Sequence, residues 1–155
     1  MTRKTKLFAR TLTTLKTFVA SLVFACAGST VQANGFGSPS GNIRCYVNLY
    51  TGQPISDAPL VCLIFEADWD LPANENFPEC DLDQTRQIIL PAVGTSRAQW
   101  ICHGDVFWPE PLGTISYGSQ WFLFNFECEM QRNGVRCSNS GDGGFVLNRG
   151  SVSLD

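Results

Sequence analysis

Cysteine number and spacing constrain this chain more than any other feature of its sequence. The chain has seven cysteines, and Cys26 lies in an amino-terminal segment typical of a cleaved signal peptide. The six cysteines that remain are spread along the rest of the chain, at Cys45, Cys62, Cys80, Cys102, Cys128 and Cys137. An even number spread in this way predicts a framework of three disulfides, formed in an oxidising compartment.

The first 33 residues have the pattern of an export signal. Basic residues without any acid occupy the first sixteen positions, and an apolar run of about 11 residues follows over 17–27. Val31 and Ala33 fit the two small-residue positions of a cleavage site, so we predict cleavage after Ala33. The apolar run is shorter than the roughly 20 residues that a membrane-spanning helix needs, so we expect no retained span. A lipoprotein attached through Cys26 is the alternative interpretation.

Residues 34–155 have the length of a single domain. All three lysines lie in the signal, which leaves six arginines against 14 acids and a net charge of −8. Nucleic acid requires a basic face, so the net negative charge argues against a nucleic-acid partner, and we expect none. We expect a monomer that is periplasmic or secreted.

Alternating apolar and polar residues predict β-strands. Over 42–50, Ile43, Cys45 and Val47 alternate with polar residues, which places Cys45 on a buried face. The run over 60–65 predicts a fully buried strand, and shorter strands are predicted over 86–90, 98–103 and 145–147. The acidic stretch over 66–84 contains two prolines and predicts a loop.

The carboxyl-terminal third predicts a long strand followed by a hairpin. Alternation over 121–130 puts Phe122, Phe124 and Cys128 on one face of one strand. Asn133 and Gly134 form the dipeptide most typical of a two-residue hairpin turn. A turn centred on them would set Cys128 diagonally across from Cys137, so their bond would need a bulge or a longer loop.

Helical periodicity is weak throughout residues 34–155. The fold class is therefore predicted to be all-β: a small, disulfide-stapled sandwich or partly open barrel of seven or eight short antiparallel strands. Six cysteines allow 15 pairings. Cysteines that are neighbours in the sequence each enclose a plausible hairpin or a connection between adjacent strands. We therefore predict the disulfides Cys45–Cys62, Cys80–Cys102 and Cys128–Cys137.

Catalysis has one weak set of candidates. His103 is the single histidine of the chain, and Asp105 follows two positions later. An Asp so close to the His in a glycine-containing turn is more typical of turn stabilisation than of a hydrolytic triad, and the chain has no Gly-x-Ser-x-Gly elbow. The acidic residues do not match the calcium-loop pattern, and the chain has no Cys-x-x-Cys pair, so we expect neither a metal nor a cofactor.

Aromatic residues supply the candidate binding positions. Trp108 lies between prolines in a predicted loop, and Tyr117 follows shortly after it. Such residues form platforms for sugars or peptides, although a small all-β domain also uses aromatic side chains to fill its core.

Several short motifs resemble those of a family of small, secreted bacterial cysteine-rich domains of unknown function. The matching pieces are Ser-Pro-Ser-Gly-Asn-Ile-Arg-Cys at 38–45, Cys-His-Gly-Asp at 102–105, Gly-Val-Arg-Cys at 134–137 and Gly-Gly-Phe at 143–145. The resemblance implies an extracytoplasmic disulfide-bonded domain and no particular reaction. Members of that family often carry a histidine at the position of Gly143.

These observations favour a non-catalytic binding or structural domain of the cell envelope, with an envelope protein or a glycan as its partner. Two alternatives remain. One is a small secreted hydrolase that uses His103 and Asp105, and the other is a secreted inhibitor whose loop around Trp108 blocks an enzyme.

Overall fold

The computed structural model describes residues 34–72, 80–105 and 112–155. The predicted signal segment, 1–33, lies outside the described residues. The described chain forms eleven β-strands and one short 3-10 helix at Ile55–Asp57. The strands are β1 Gly35–Gly37, β2 Ile43–Val47, β3 Leu60–Ile64, β4 Asp83–Leu90, β5 Arg97–His103, β6 Gly113–Thr114, β7 Gln120–Leu123, β8 Phe126–Gln131, β9 Gly134–Ser138, β10 Gly144–Leu147 and β11 Val152–Leu154.

The strands make two sheets. The six-stranded sheet has the order β5, β4, β3, β2, β1, β6, and the five-stranded sheet has the order β11, β10, β9, β8, β7. Neighbouring strands are antiparallel except β1 and β6, which are parallel. No closed barrel forms among the described strands, so the all-β prediction is confirmed in its sandwich form. The predicted number of seven or eight antiparallel strands is wrong, since eleven strands are described and one pair is parallel.

One apolar core lies between the two sheets. The inner faces of both contribute buried side chains to a single cluster, and Phe36 of the six-stranded sheet contacts Trp121 of the five-stranded sheet at 5.0 Å between ring centroids. Ile43, Cys45 and Val47 all lie in this core, as the alternation predicts. The outer face of the six-stranded sheet carries a smaller buried cluster of Tyr46, Val61, Leu63 and Ile89, against which Phe65, Ile101 and Leu112 pack.

Disulfides join adjacent strands of both sheets. Cys45 is bonded to Cys62 across β2 and β3, and Cys128 is bonded to Cys137 across β8 and β9, each with 4.1 Å between Cα atoms. The third bond joins Cys80, just before β4, to Cys102 on β5. These are the three pairs that sequence-neighbour pairing predicts, and the first two lie inside the core.

Two local predictions for the carboxyl-terminal third are wrong. The alternation over 121–130 belongs to two strands, since the chain turns at Phe124 and Asn125 and pairs Leu123 with Phe126. Phe124 adopts a left-handed φ of 52°, and both Phe122 and Phe124 are exposed. A two-residue turn switches the parity of the inward-facing positions, because Leu123 and Phe126 are paired and share a face although they are three positions apart. The buried face is therefore marked by Trp121 before the turn and by Phe126 and Cys128 after it.

The hairpin between β8 and β9 is shifted by one position from the predicted register. Gln131 pairs with Gly134, so the turn residues are Arg132 and Asn133. Cys128 then lies directly opposite Cys137, and no bulge is needed for their bond. A Cβ at position 134 would lie 2.2 Å from the carbonyl oxygen of Leu147, so Gly134 is required by close backbone packing on β10.

Candidate functional site

A groove of about 430 Å³ opens at one end of the sandwich. Four chain segments meet there: the β1–β2 turn, the residues after β3, the turn before β7 and the β8–β9 turn. The polar and aromatic residues of its lining are Ser38, Ser40, Asn42, Phe65, Glu66, Tyr117, Gln131, Arg132, Asn133 and Arg149. This volume lies in the range of pockets that hold small ligands.

The β1–β2 turn forms one wall and is held by its own hydrogen bonds. The Ser38 N–H donates to the Ile43 carbonyl at 2.8 Å, and the Gly41 N–H donates to the Ser38 carbonyl at 2.9 Å. The Ser38 hydroxyl accepts from the Ile43 N–H and lies 3.1 Å from the hydroxyl of Ser40. Gly41 has φ of 75°, a conformation that favours glycine. The Ser-Pro-Ser-Gly segment therefore forms a rigid wall.

Asn42 joins this turn to the chain that leaves β3. Its amide nitrogen donates to the Glu66 carbonyl at 2.9 Å, and its amide oxygen accepts from the Glu66 N–H at 2.7 Å. Both ends of the amide are thus used within the protein. The consequence is a fixed position for the Glu66 backbone at the groove.

Arg149 lies between two carboxylates. Its guanidinium is 3.4 Å from Glu66 and 3.4 Å from Asp68, and its backbone carbonyl accepts from the Asp68 N–H at 2.7 Å. The three side chains are well exposed, so the ion pairs contribute little stability. Their effect on the site is electrostatic, because the two carboxylates more than offset the single positive charge of Arg149.

Tyr117 is held at the groove by a tight turn. The Ser119 N–H donates to the Ser116 carbonyl, and the Gly118 N–H donates to the Met130 carbonyl on β8 at 2.7 Å. Gly118 has φ of 81°, which this turn requires of its backbone. The Tyr117 side chain is 43% exposed, so a ligand in the groove can contact its ring.

The β8–β9 turn supplies the remaining wall through Arg132 and Asn133. Within the described part of the chain, neither side chain has a hydrogen-bond or ion-pair partner. The groove therefore presents a guanidinium, an amide and a phenol ring, which are groups that bind polar ligands.

The candidate catalytic residues lie elsewhere. His103 ends β5, and its Nε2 lies 2.7 Å from the hydroxyl oxygen of Thr85 on β4, while its Nδ1 lies 3.3 Å from the Gly104 carbonyl oxygen. Asp105 is exposed at the surface. Neither His103 nor Asp105 belongs to the lining of the groove.

Of the two aromatic residues that the sequence suggests for binding, the structure places one at the groove. Tyr117 lines the groove, and Trp108 lies outside the described residues. Sequence reasoning missed Arg132, Asn133 and Arg149 as site residues, although the turn signal at Asn133 and the motif at 38–45 mark two of the walls. Turn-forming residues were the one signal in the sequence that could have pointed to these groove residues. A sequence does not show, however, which turns meet at one end of a sandwich.

A second, smaller cavity of about 200 Å³ lies beside the glycine-rich segment between β9 and β10. A Cβ at Gly143 would lie 1.8 Å from the Gly94 carbonyl oxygen. Position 143 therefore has no room for a side chain in this protein, although the family whose motifs the sequence resembles often carries a histidine there.

Metal binding has no support in the residues that the structure describes, among which no three His, Cys, Asp or Glu side chains come together. Across the same residues, no helix is long and apolar enough to cross a membrane. The three disulfides are consistent with an extracellular or otherwise oxidising location. No protein-family model, curated protein or solved structure matches the chain.

Proposed function

We propose that this protein is an exported, non-catalytic binding domain of the cell envelope whose ligand occupies the groove at the end of the sandwich. The observation that carries the proposal is the groove itself, in which rigid turns hold Tyr117, Arg132 and Asn133 around about 430 Å³ of open volume. Preformed concave sites with a few convergent polar groups are typical ligand sites.

The proposal for export depends on two features. The predicted signal segment, 1–33, directs the chain out of the cytoplasm, and the three disulfides suit a domain that folds in the periplasm or outside the cell. The ligand would then be an envelope glycan or protein, bound by a monomer.

Binding to fractionated envelope material tests this function. Purified protein is titrated with glycan and peptide fractions by isothermal calorimetry, alongside Tyr117→Ala and the control Tyr50→Ala. Tyr50 is 61% exposed but does not line the groove. We expect one fraction to bind, at least about tenfold weaker binding by Tyr117→Ala and no change with Tyr50→Ala. Binding that survives Tyr117→Ala contradicts the proposed site.

Hydrolysis is the second candidate function, and one distance favours it. The imidazole of His103 lies 2.7 Å from the Thr85 hydroxyl, which is the reach a general base needs. The hydroxyl is poorly accessible, because Thr85 is only 6% exposed. Ester, peptide and glycan substrate panels test it: activity that is lost in His103→Ala, Asp105→Asn or Thr85→Val would replace binding as the function.

The inhibitor alternative is tested by capture. Envelope extract is passed over the wild-type protein and over Trp108→Ala, and enzymes that are retained are identified. An enzyme that is held and inhibited by the wild type alone would establish inhibition.

A further inference from the structure

We infer that the ligand of this groove is an acidic sugar, with its ring against Tyr117 and its carboxylate on Arg132. This inference rests on the proposed function and deepens it by naming a chemical class. The chemical class of the ligand follows from the groups of the groove that are still available to it.

Most polar groups of the lining already have partners inside the protein. The amide of Asn42 is held at both ends by the Glu66 backbone, and the hydroxyl of Ser38 accepts from the Ile43 N–H. The Gln131 amide donates to Glu129 at 3.2 Å. Such groups shape the groove, but a ligand would have to displace an internal bond to use them.

The two arginines of the lining differ in whether they form ion pairs. Arg149 is paired with both Glu66 and Asp68, each 3.4 Å away, so this cluster has a net charge of −1. Arg132 has no ion pair within the described part of the chain and is exposed at the tip of the β8–β9 turn. On a domain with six arginines and 14 acids, this leaves one uncommitted positive charge at the groove.

A single guanidinium fork fits a carboxylate. Its paired N–H donors match the two carboxylate oxygens, and charge-assisted bonds of this kind are about twice as strong as neutral ones. A phosphate dianion would favour a second uncommitted cation, whereas Arg149 is already paired with two carboxylates, whose excess negative charge repels a dianion more than a monoanion. The geometry therefore favours a ligand with one negative charge.

The rest of the site suits a sugar ring better than a peptide. Tyr117 offers a large, rigid surface with a polar tip, and Asn133 beside Arg132 can both donate to and accept from hydroxyls. The turn backbones at Ser38 and Gly118 are bonded internally. Among the described lining residues these turns present no open strand edge, which is what an extended peptide would pair with.

Matched pairs of sugars test the inference. The purified protein is titrated with glucuronate and glucose, galacturonate and galactose, and N-acetylmuramate and N-acetylglucosamine, by calorimetry and saturation-transfer NMR. We expect at least one acidic sugar to bind about tenfold more tightly than its neutral partner. Arg132→Gln should remove that preference and leave the weak neutral binding in place.

Arg97→Gln is the matched control, since Arg97 is exposed on β5 and does not line the groove. It should keep the preference. Equal affinity for acidic and neutral sugars, still lost in Tyr117→Ala, would overturn the carboxylate preference and leave the proposed function standing. Sugar binding that Tyr117→Ala does not affect would overturn both. If none of the six sugars binds, the sugar class is wrong, and the envelope-fraction experiment decides the proposed function separately.

Discussion

Asn139 holds two loops together through one buried side chain. Its amide oxygen accepts from the N–H groups of Gly141 and Gly143, and its amide nitrogen donates to the carbonyls of Pro91 and Gly94. Each bond is between 2.8 and 3.1 Å long. One residue thus positions the glycine-rich segment on the loop between β4 and β5.

Replacing Asn139 with Ala should lower the free energy of unfolding by about 2 to 4 kcal/mol, because four buried or partly buried backbone groups lose their partner at once. Chemical denaturation measures the change. Asn133→Ala is the control, since that amide has no partner within the described chain, and its effect should stay within about 0.5 kcal/mol. Equal effects of the two variants would show that the Asn139 network adds no stability.

Gly143 and Gly113 make a matched pair of glycines. A Cβ at Gly143 would lie 1.8 Å from the Gly94 carbonyl oxygen, whereas a Cβ at Gly113 meets no atom of the described residues within 4 Å. Gly143→Ala should therefore destabilise the protein by about 2 kcal/mol or more, and Gly113→Ala should leave it within about 0.5 kcal/mol of the wild type. Thermal unfolding of both variants checks this, and a tolerated Ala at 143 would contradict the close packing.

Burial gives Tyr46 a pH-dependent role in stability. Its removal from water, with a smaller contribution from Tyr50, raises the pKa of Tyr46 from 10.0 to about 12. The ionised phenolate is favoured in the unfolded chain. The contribution of the neutral Tyr46 phenol to the free energy of unfolding is therefore complete below pH 10 and is lost as the pH rises to about 12.

Between pH 10 and 12 the free energy of unfolding should fall by about 2 kcal/mol in the wild type. Tyr46→Phe should remove that part of the decline, and Tyr117→Phe should keep it. Urea denaturation in thiol-free buffer at stepped pH measures the effect. A decline of the same size in Tyr46→Phe would assign it to other groups.

At the scale of the element, an arginine between two tryptophans fastens the chain after β3 to the six-stranded sheet. The Arg86 guanidinium lies 4.5 Å from the ring centre of Trp100 on β5 and 5.3 Å from that of Trp69. The indole nitrogens of Trp69 and Trp100 donate to backbone carbonyls of Asn148 and Leu71. The 66–72 segment, which includes the groove residue Glu66, is thereby held in place.

Arg86→Lys should destabilise the protein by about 1 kcal/mol and shift its tryptophan fluorescence to the red, because an ammonium cannot stack as a planar guanidinium does. Arg97→Lys, on the exposed face of β5, is the control and should change neither quantity. Unchanged emission in Arg86→Lys would contradict the stacked arrangement.

Strand prediction succeeded where the order of apolar residues matches the burial of the strand, either by alternation or by an uninterrupted apolar run in a strand that is buried on both faces. The alternation at Ile43, Cys45 and Val47 locates β2, and the apolar run locates β3. It failed at Phe124, because an exposed phenylalanine with positive φ carries no turn signal. The Asn133-Gly134 dipeptide does lie at a hairpin, but Gly134 is not a central residue of the turn. The glycine is required there because the backbone packs closely against β10. The small strands β1, β6 and β11 are too short for any periodicity to show.

At the scale of the whole molecule, the groove could be predicted only in part. Tyr117 is a predicted binding residue that lines it, but Arg132 and Arg149 are 17 positions apart in the chain and meet through the fold of the five-stranded sheet. Arginines on a strongly acidic chain give no sign of which one lacks a carboxylate partner. Long-range contacts decide that, and local sequence patterns do not contain them.

The three disulfides divide the molecule into a protected centre and an accessible edge. Cys45, Cys62, Cys128 and Cys137 are buried in the core. Cys80 and Cys102 are partly exposed beside the edge strand β5. A thiolate must reach a sulfur atom in line with the bond, so access determines which disulfide is reduced first in the folded protein.

Mild dithiothreitol under native conditions should therefore reduce Cys80–Cys102 well before the other two bonds. Alkylation followed by peptide mapping should label Cys80 and Cys102 first, whereas in denaturant all six cysteines should react together. The loss of this one bond, which spans 22 residues, should cost about 3 kcal/mol, while far-ultraviolet circular dichroism keeps the signal of the two sheets. If the core cysteines were labelled as fast as Cys80 and Cys102 under native conditions, the core disulfides would be as accessible to reductant as the edge disulfide. The order of reduction thus tests whether the bonds at Cys45–Cys62 and Cys128–Cys137 hold a core that stays closed when the edge is released.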